Sequence, residues 1–450
     1  MTTLLLKNID TLVTMDEDRR EISGAAVFCR NGVIEAVGKS GEVPETADNV
    51  LDLSGHIVIP GMVNTHHHLF QNLTRVVPAA QNETLFGWLK TLYPIWSRLH
   101  PEAIEAAIAL GLAELALTGC TTSSDHQYIF PNGARLDDSI AAAEEIGVRF
   151  TATRGSMSIG ESNGGLPPDY LIEDEPFILK ESERIVDAYN NPARFAMTRV
   201  ALAPCSPFSV STGLMRDSAI MAREKGVGLH THLAENEEDI IYSEEKFGKR
   251  PGDYAEDLGW VGEDVWHAHC VRLNTSEIDL FARTGTGIAH CPCSNMRLAS
   301  GIAPVRKMRD HGVAVGLGVD GSSSNDSGHM LNEARQAMLL QRVGGDPAAL
   351  TARDALTMAT RDGARVLNRD DIGQIAPNYA ADMAVFDLNQ IDFAGALHDP
   401  VAALIFCGPV KTRHTIINGR LVVRDGILTT MDLGELMQRH RKFSLDLVNG

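Results

Sequence analysis

Aromatic residues make up only 6% of the 450 positions, and acidic residues outnumber basic ones, 59 to 40, for a formal net charge of −19. A chain this short of positive charge lacks the basic surface that a nucleic-acid backbone requires, so nucleic acid is excluded as a partner. No apolar run is long enough to span a bilayer, which excludes a membrane helix. The opening Met1-Thr2-Thr3-Leu4-Leu5-Leu6-Lys7 is too short and too weakly charged to read as a signal peptide. The seven cysteines are odd in number and scattered, which argues against a disulfide framework and for a reducing compartment, the cytoplasm. There is no solenoid period and no low-complexity tract. Nothing in these absences disfavours a small neutral substrate, because acidic surface charge chiefly serves solubility. The length admits a large core and two or three domains.

What the chain does have is histidine, at telling places. The apolar run His56-Ile57-Val58-Ile59-Pro60-Gly61-Met62-Val63 reads as a buried strand and leads into Asn64-Thr65-His66-His67-His68. Alternate side chains of a strand share a face, so His66 and His68 point together while His67 points away. Two adjacent imidazoles form half of a site for zinc or a similar divalent ion. Leu229-His230-Thr231-His232-Leu233-Ala234-Glu235 repeats the pattern and adds a carboxylate. Val265-Trp266-His267-Ala268-His269 supplies a third histidine-bearing strand end, and Val315-Gly316-Leu317-Gly318-Val319-Asp320 delivers an aspartate. His290 also ends a strand and reads as either supporting or structural. His100, His311, His398, His414 and His440 have no partner motif nearby.

Eight strand-like runs, at 57–65, 120–125, 149–154, 199–204, 227–233, 264–269, 286–291 and 314–320, alternate with helical stretches. The clearest helix runs from Pro101 to Leu117; Asp137 is expected to cap 138–146, and Asn274 with Glu277 makes a capping box for 275–284. Strand then helix, eight times over, predicts an α/β fold, a (β/α)8 TIM-like barrel with its site at the carboxyl ends of the strands. Both chain ends instead hold short β segments with Asn-Gly turns at Asn31-Gly32 and Asn418-Gly419. The expected organisation is a small β-sandwich domain from 1–56 and 373–432, a barrel over 57–372, and a helical tail over 433–450.

Taken together these motifs resemble the amidohydrolase superfamily, and within it the branch of mononuclear-metal deaminases. The resemblance spans nearly the whole chain. It implies His66, His68, His232 and Asp320 as metal ligands, with Glu235, His269 and Asp320 as the catalytic groups. Strand four, Val200-Ala201-Leu202-Ala203-Pro204-Cys205-Ser206, lacks the lysine that bridges two metals in other members, which implies one divalent ion. Zn2+ is the expected ion and Fe2+ the alternative. His68-Leu69-Phe70-Gln71, Arg154-Gly155-Ser156-Met157-Ser158, Ala203-Pro204-Cys205-Ser206-Pro207-Phe208 and Cys293-Ser294-Asn295-Met296-Arg297 are similar to segments of the 8-oxoguanine deaminases. The family pattern leads one to expect Ser where Cys293 stands, in the distal pocket wall.

The implied activity is hydrolytic deamination of a small heteroaromatic substrate, 8-oxoguanine foremost. Deamination of isocytosine, guanine or a pterin, or amine removal from hydroxyatrazine, stands as the alternative, and a non-catalytic barrel scaffold as a distant one. Gln71 is expected to read a ring edge that offers both a donor and an acceptor, or else to bond its own loop. Arg154 ends strand three and is expected to bind a carbonyl oxygen or to pair with an acid. Trp88 is expected to stack on a planar base or to pack, and Cys205 to form a pocket wall. A homo-oligomer is compatible with the helix-rich tail.

Overall fold

The computed structural model describes residues 2–450. Eight parallel strands close into a barrel: Met62–Asn64, Cys120–Gln127, Arg149–Ser156, Thr198–Pro204, Gly228–Leu233, Val265–His269, Gly287–His290 and Val315–Leu317. The ring closes where Leu317 pairs with Asn64. Helices alternate with these strands, as their Ala-, Leu- and Glu-rich sequences require. Pro101–Leu117 is helical as expected, and Thr275–Thr284 carries the Asn274–Glu277 capping box. The Asp137 expectation needs correction, because the helix starts at Leu136, two residues before the expected 138, and Asp137 lies inside its first turn. Asp138 accepts the Arg135 N–H at 2.7 Å, and Asp137 instead pairs with Arg184.

The run 57–65 also needs correction, because it is two strands in two sheets. His56–Pro60 pairs with Thr3–Val13 and Met383–Asp387, whereas Met62–Asn64 enters the barrel. The boundary expected between 56 and 57 therefore falls within a strand of the flanking sheet, and the switch comes at Gly61. A β-carbon at Gly61 would lie 2.1 Å from Thr121 Oγ1, so only glycine allows the chain to cross there.

Both chain ends build one mixed nine-stranded sheet beside the barrel. Alternate residues of its strands, such as Leu4, Leu6, Val27, Val58, Met383, Val385 and Ile416, share a core. The two Asn-Gly turns have positive φ throughout, 50° and 81° at Asn31-Gly32 and 50° and 74° at Asn418-Gly419. This is the geometry of tight hairpins. They meet tip to tip, since a β-carbon on Gly32 would lie 2.8 Å from the Asn418 carbonyl. Sheet and barrel are tied by a buried ion pair, Arg149 Nε to Asp382 Oδ2 at 2.9 Å, with a second arm at 3.1 Å. The tail helix, Leu433–Asn449, is capped by Asp432 and packs on Pro101–Leu117 and the short turn Leu69–Thr74. Among the described residues no helix is long and apolar enough to cross a membrane.

Candidate active site and metal centre

The carboxyl ends of the strands bring the predicted ligands into one buried cluster. His66 Nε2 lies 3.1 Å and His68 Nε2 3.3 Å from Asp320 Oδ1, and His68 Nε2 is 3.0 Å from His232 Nε2. A tetrahedral ion with Zn–N bonds near 2.05 Å separates its ligand atoms by about 3.3 Å. The observed edges fit that spacing.

Hydrogen bonds behind the rings fix which nitrogen is free. His68 Nδ1–H donates to the His126 carbonyl at 2.6 Å, and His232 Nδ1–H to the Cys205 carbonyl at 2.6 Å. His230 Nδ1–H donates to the Trp266 carbonyl at 2.9 Å, which leaves His230 Nε2 to accept from His66 Nδ1–H at 2.7 Å. All three rings thus turn an unprotonated Nε2 inward. His66 Nε2 is buried without a hydrogen-bond partner, and burial holds the His66 pKa well below its usual value. Inward lone pairs 3.0 Å apart repel unless a cation sits between them. The donor set therefore fits a divalent metal.

The remaining groups face this cluster. For His269, burial favours the neutral ring, but the Glu235 and Asp320 carboxylates outweigh it and raise the pKa. Its Nδ1–H donates to Asn295 Oδ1 at 2.9 Å, and its Nε2 is 3.6 Å from Glu235 Oε2 and 3.9 Å from Asp320 Oδ2. Burial raises the Glu235 pKa. Ser300 donates to Glu235 Oε1 at 3.1 Å, and Asp239 accepts its backbone N–H at 2.9 Å. Burial also works against the Asp320 anion, yet the surrounding imidazoles bring its pKa well down. Ser294 and Ser324 donate to its Oδ2 at 2.5 and 3.1 Å. Ala234, His269 and Asp320 adopt left-handed backbone, with φ of 51°, 70° and 59°. Conformations of this kind cost about 1–3 kcal/mol each and gather at working sites.

A pocket with about 440 Å3 of empty space, counting its open mouth, opens over the cluster. Polar His68, His232, Glu235, His269 and Asp320 and apolar Leu85, Leu89, Phe208 and Leu298 line it. Gln71, Trp88 and Cys205 line it too. Gln71 Nε2 donates to Tyr128 Oη at 3.3 Å, while its Oε1 is buried without a partner. Trp88 Nε1–H is committed to the Ser323 carbonyl at 3.1 Å, and burial pushes the Cys205 thiol up to about 12. Arg154 is not brought in, and the carbonyl-binding expectation for it is corrected. Its guanidinium pairs with Glu173 at 2.8 and 3.0 Å, stacks over Phe130, and lines a separate hollow. Cys293 does not line the pocket either; its backbone N–H donates to buried Glu333.

Residues not anticipated complete the site. Tyr93 and Tyr128 line the pocket, and Ser294, Asn295 and Ser300 hydrogen-bond Asp320, His269 and Glu235. His126, at the end of strand two, bonds through Nε2–H to the Ala203 carbonyl at 2.8 Å and stacks on His232. The signal for His126 was its position at a strand end, one residue past the run read as 120–125. His290 is fully buried with neither ring nitrogen bonded, and lies outside the pocket lining.

Residues 57–422 match the amidohydrolase family. An 8-oxoguanine deaminase from Pseudomonas aeruginosa is 44% identical over 432 residues, covering 96% of each chain. A hydroxydechloroatrazine ethylaminohydrolase from Pseudomonas sp. (strain ADP) is 36% identical over 97% of this chain and 94% of its own. Among solved structures, an atrazine chlorohydrolase from Arthrobacter aurescens complexed with zinc has a TM-score of 0.94 at 33% identity, covering 98% of this chain and all of that one. Barrel, metal-binding cluster and relatives agree, and the chain belongs to the amidohydrolase family as a hydrolase of C–N bonds.

Proposed function

We propose that this chain is a cytoplasmic deaminase that uses one divalent ion, zinc with iron as the alternative, to convert 8-oxoguanine and water to urate and ammonia. The observation that carries this reading is the Gln71 amide. Its buried, unpartnered Oε1 can accept from an exocyclic amine, in a pocket that holds Glu235 and the donor set. The Gln71 and Tyr128 pair offers an acceptor and a donor side by side, which matches the N–C(NH2)–N edge of a 2-amino-6-oxopurine. The relative at 44% identity, itself an 8-oxoguanine deaminase, supports the same substrate. Seven unpaired cysteines fit a reducing compartment.

His66, His68, His232 and Asp320 would hold the ion, and a bound divalent cation lowers the pKa of water to about 7. Glu235 takes a proton from the attacking water and passes it to the ring nitrogen beside the amine-bearing carbon, which becomes tetrahedral. Its raised pKa makes it a better base than an exposed carboxylate. His269 Nε2–H holds the attacking oxygen. Asp320 then moves the oxygen's second proton onto the amine, the C–N bond breaks, and ammonia leaves with the carbonyl restored.

The apolar lining of the pocket favours a second reading. Leu85, Leu89, Phe208 and Leu298 would also accommodate the alkyl group of an alkylamino-triazine, in line with the hydroxydechloroatrazine ethylaminohydrolase relative. The test is amine release by metal-replete protein from 8-oxoguanine, guanine, isocytosine, isoxanthopterin and hydroxyatrazine. A kcat/KM for 8-oxoguanine well above the others supports the first reading, and ethylamine release above all others the second. No turnover of any 2-amino-oxo heterocycle removes the first.

A further inference from the structure

A second hollow lies at the opposite end of the barrel, where strands three to six begin. Val200, Ala201, Val227, Gly228 and the Trp266 ring line it beside the polar side chains of Arg199, Asn190 and Thr151 and the Arg223–Asp264 ion pair. Its empty space is about 1050 Å3, counting the open mouth.

The charges around it balance, save one. Arg149 pairs with Asp382, Arg194 with Asp370, Arg223 with Asp264 and Arg369 with Asp371. Arg199 has no carboxylate partner among the described residues. A guanidinium carries five N–H donors. Here one is used, Nη1 to the Asn368 carbonyl at 3.0 Å, and Nε is buried with no partner at all. Burial, then the neighbouring Arg369, brings the Arg199 pKa down to about 10. A cation so situated is stabilised by an anion with two oxygens, which a guanidinium grips through paired N–H donors. Asn190 stands ready to assist, because its Oδ1 is engaged by the Val200 N–H at 3.1 Å and its NH2 group is uncommitted. In a chain of net charge −19, a half-buried guanidinium with no carboxylate partner and an orphaned Nε–H leaves donors free for such an anion.

We propose that this hollow is a binding site for a small oxyanion, phosphate or carboxylate, held by Arg199 and Asn190 with any apolar body against the Trp266 wall. The site lies outside the catalytic pocket and does not depend on the substrate assigned above. Trp266 also reports on occupancy. Its indole stacks on His230 at 4.7 Å between centroids, and its carbonyl anchors the hydrogen-bond relay to His66.

The experiment titrates metal-loaded, full-length protein in chloride buffer at constant ionic strength, with inorganic phosphate in one arm and benzoate in the other. The readouts are the thermal midpoint and tryptophan emission. A saturable change in either arm is expected, weakened at least tenfold in Arg199→Gln and to an intermediate degree in Arg199→Lys, which keeps the charge but not the paired donors. Stronger binding of phosphate identifies a phosphate-bearing ligand, and stronger binding of benzoate a carboxylate on an apolar body. If Arg199→Gln does not fold, wild-type protein is treated with phenylglyoxal and the modified peptides mapped by mass. The bound anion must then protect Arg199 from modification. No saturable response in either arm overturns the proposal. So does a response of equal strength in Arg199→Gln, or an Arg199 that the anion leaves unprotected.

Discussion

His230 touches no substrate, yet its replacement by leucine is expected to weaken metal binding strongly. His66 Nδ1–H donates to His230 Nε2 at 2.7 Å, with both rings fully buried. Leucine cannot accept that hydrogen bond. In the metal-free state His66 escapes by moving its proton to Nε2, toward Asp320 Oδ1 at 3.1 Å. In the metal-bound state Nε2 is occupied, so Nδ1–H is left buried and unbonded. That cost is about 1–3 kcal/mol and falls on the bound state alone. At about 1.4 kcal/mol per factor of ten, zinc affinity should drop about 5- to 150-fold, the range typical of groups that orient metal-bound histidines. The assay is competition for zinc against a chelator of known affinity, with a thermal melt run alongside to register the lost stacking on Trp266. His230→Gln, whose side-chain oxygen can accept the hydrogen bond, should recover most of the loss. An affinity within twofold of wild type in His230→Leu would refute the argument that His230 sets the His66 tautomer.

Glu235→Gln should keep its metal, by elemental analysis, while kcat falls on the order of 10²–10⁴, the usual worth of a general acid–base group; preserved turnover would show that another group carries the proton. Gly321→Ala would place a β-carbon 1.7 Å from Gln71 Oε1, so the amide must move. We expect kcat/KM to fall at least tenfold with metal content unchanged, and undiminished kcat/KM would remove Gln71 from substrate recognition. His440 donates to Asn72 Oδ1 at 2.7 Å, and burial lowers its pKa from 6.5 to about 4. The unfolded chain therefore takes up this proton first: the contribution is complete above pH 6.5 and is lost as pH falls toward 4, by up to about 1.4 kcal/mol per unit. His440→Gln should flatten that part of the pH dependence of urea unfolding, and identical slopes in the two proteins would count against the assignment.

The fold and the clustering of His66, His68, His232 and Asp320 were legible because both are written in local pattern. Strand ends bearing His66, His68, His232 and Asp320 follow short apolar runs, and the alternation of strand and helix determines where they converge. The helix over 101–117 was readable from its composition and its opening proline. The switch at Gly61 was not readable, because an unbroken apolar run carries no mark of which sheet each half joins. Only the proximity of Thr121 reveals it. Arg154 misled for a related reason, since its partner Glu173 lies on a loop whose path the sequence does not disclose. Tyr93, Tyr128 and the neighbouring pair Asn295 and Ser300 come from three separate parts of the chain and have no spacing in common. They belong to one site only after the barrel has closed.

The two Asn-Gly tips that touch across the flanking sheet, Asn31-Gly32 and Asn418-Gly419, lie far apart in the sequence. Synthesis releases Thr3–Val13 early, whereas Met383–Asp387 and His414–Ile417 emerge only after the whole barrel. Until then the outer edge of His56–Pro60 has no neighbour, and such an unfilled edge invites pairing with other chains. Shortening the carboxyl terminus should therefore harm yield and solubility before it harms chemistry, because the first-made segments would be left waiting for partners that never arrive.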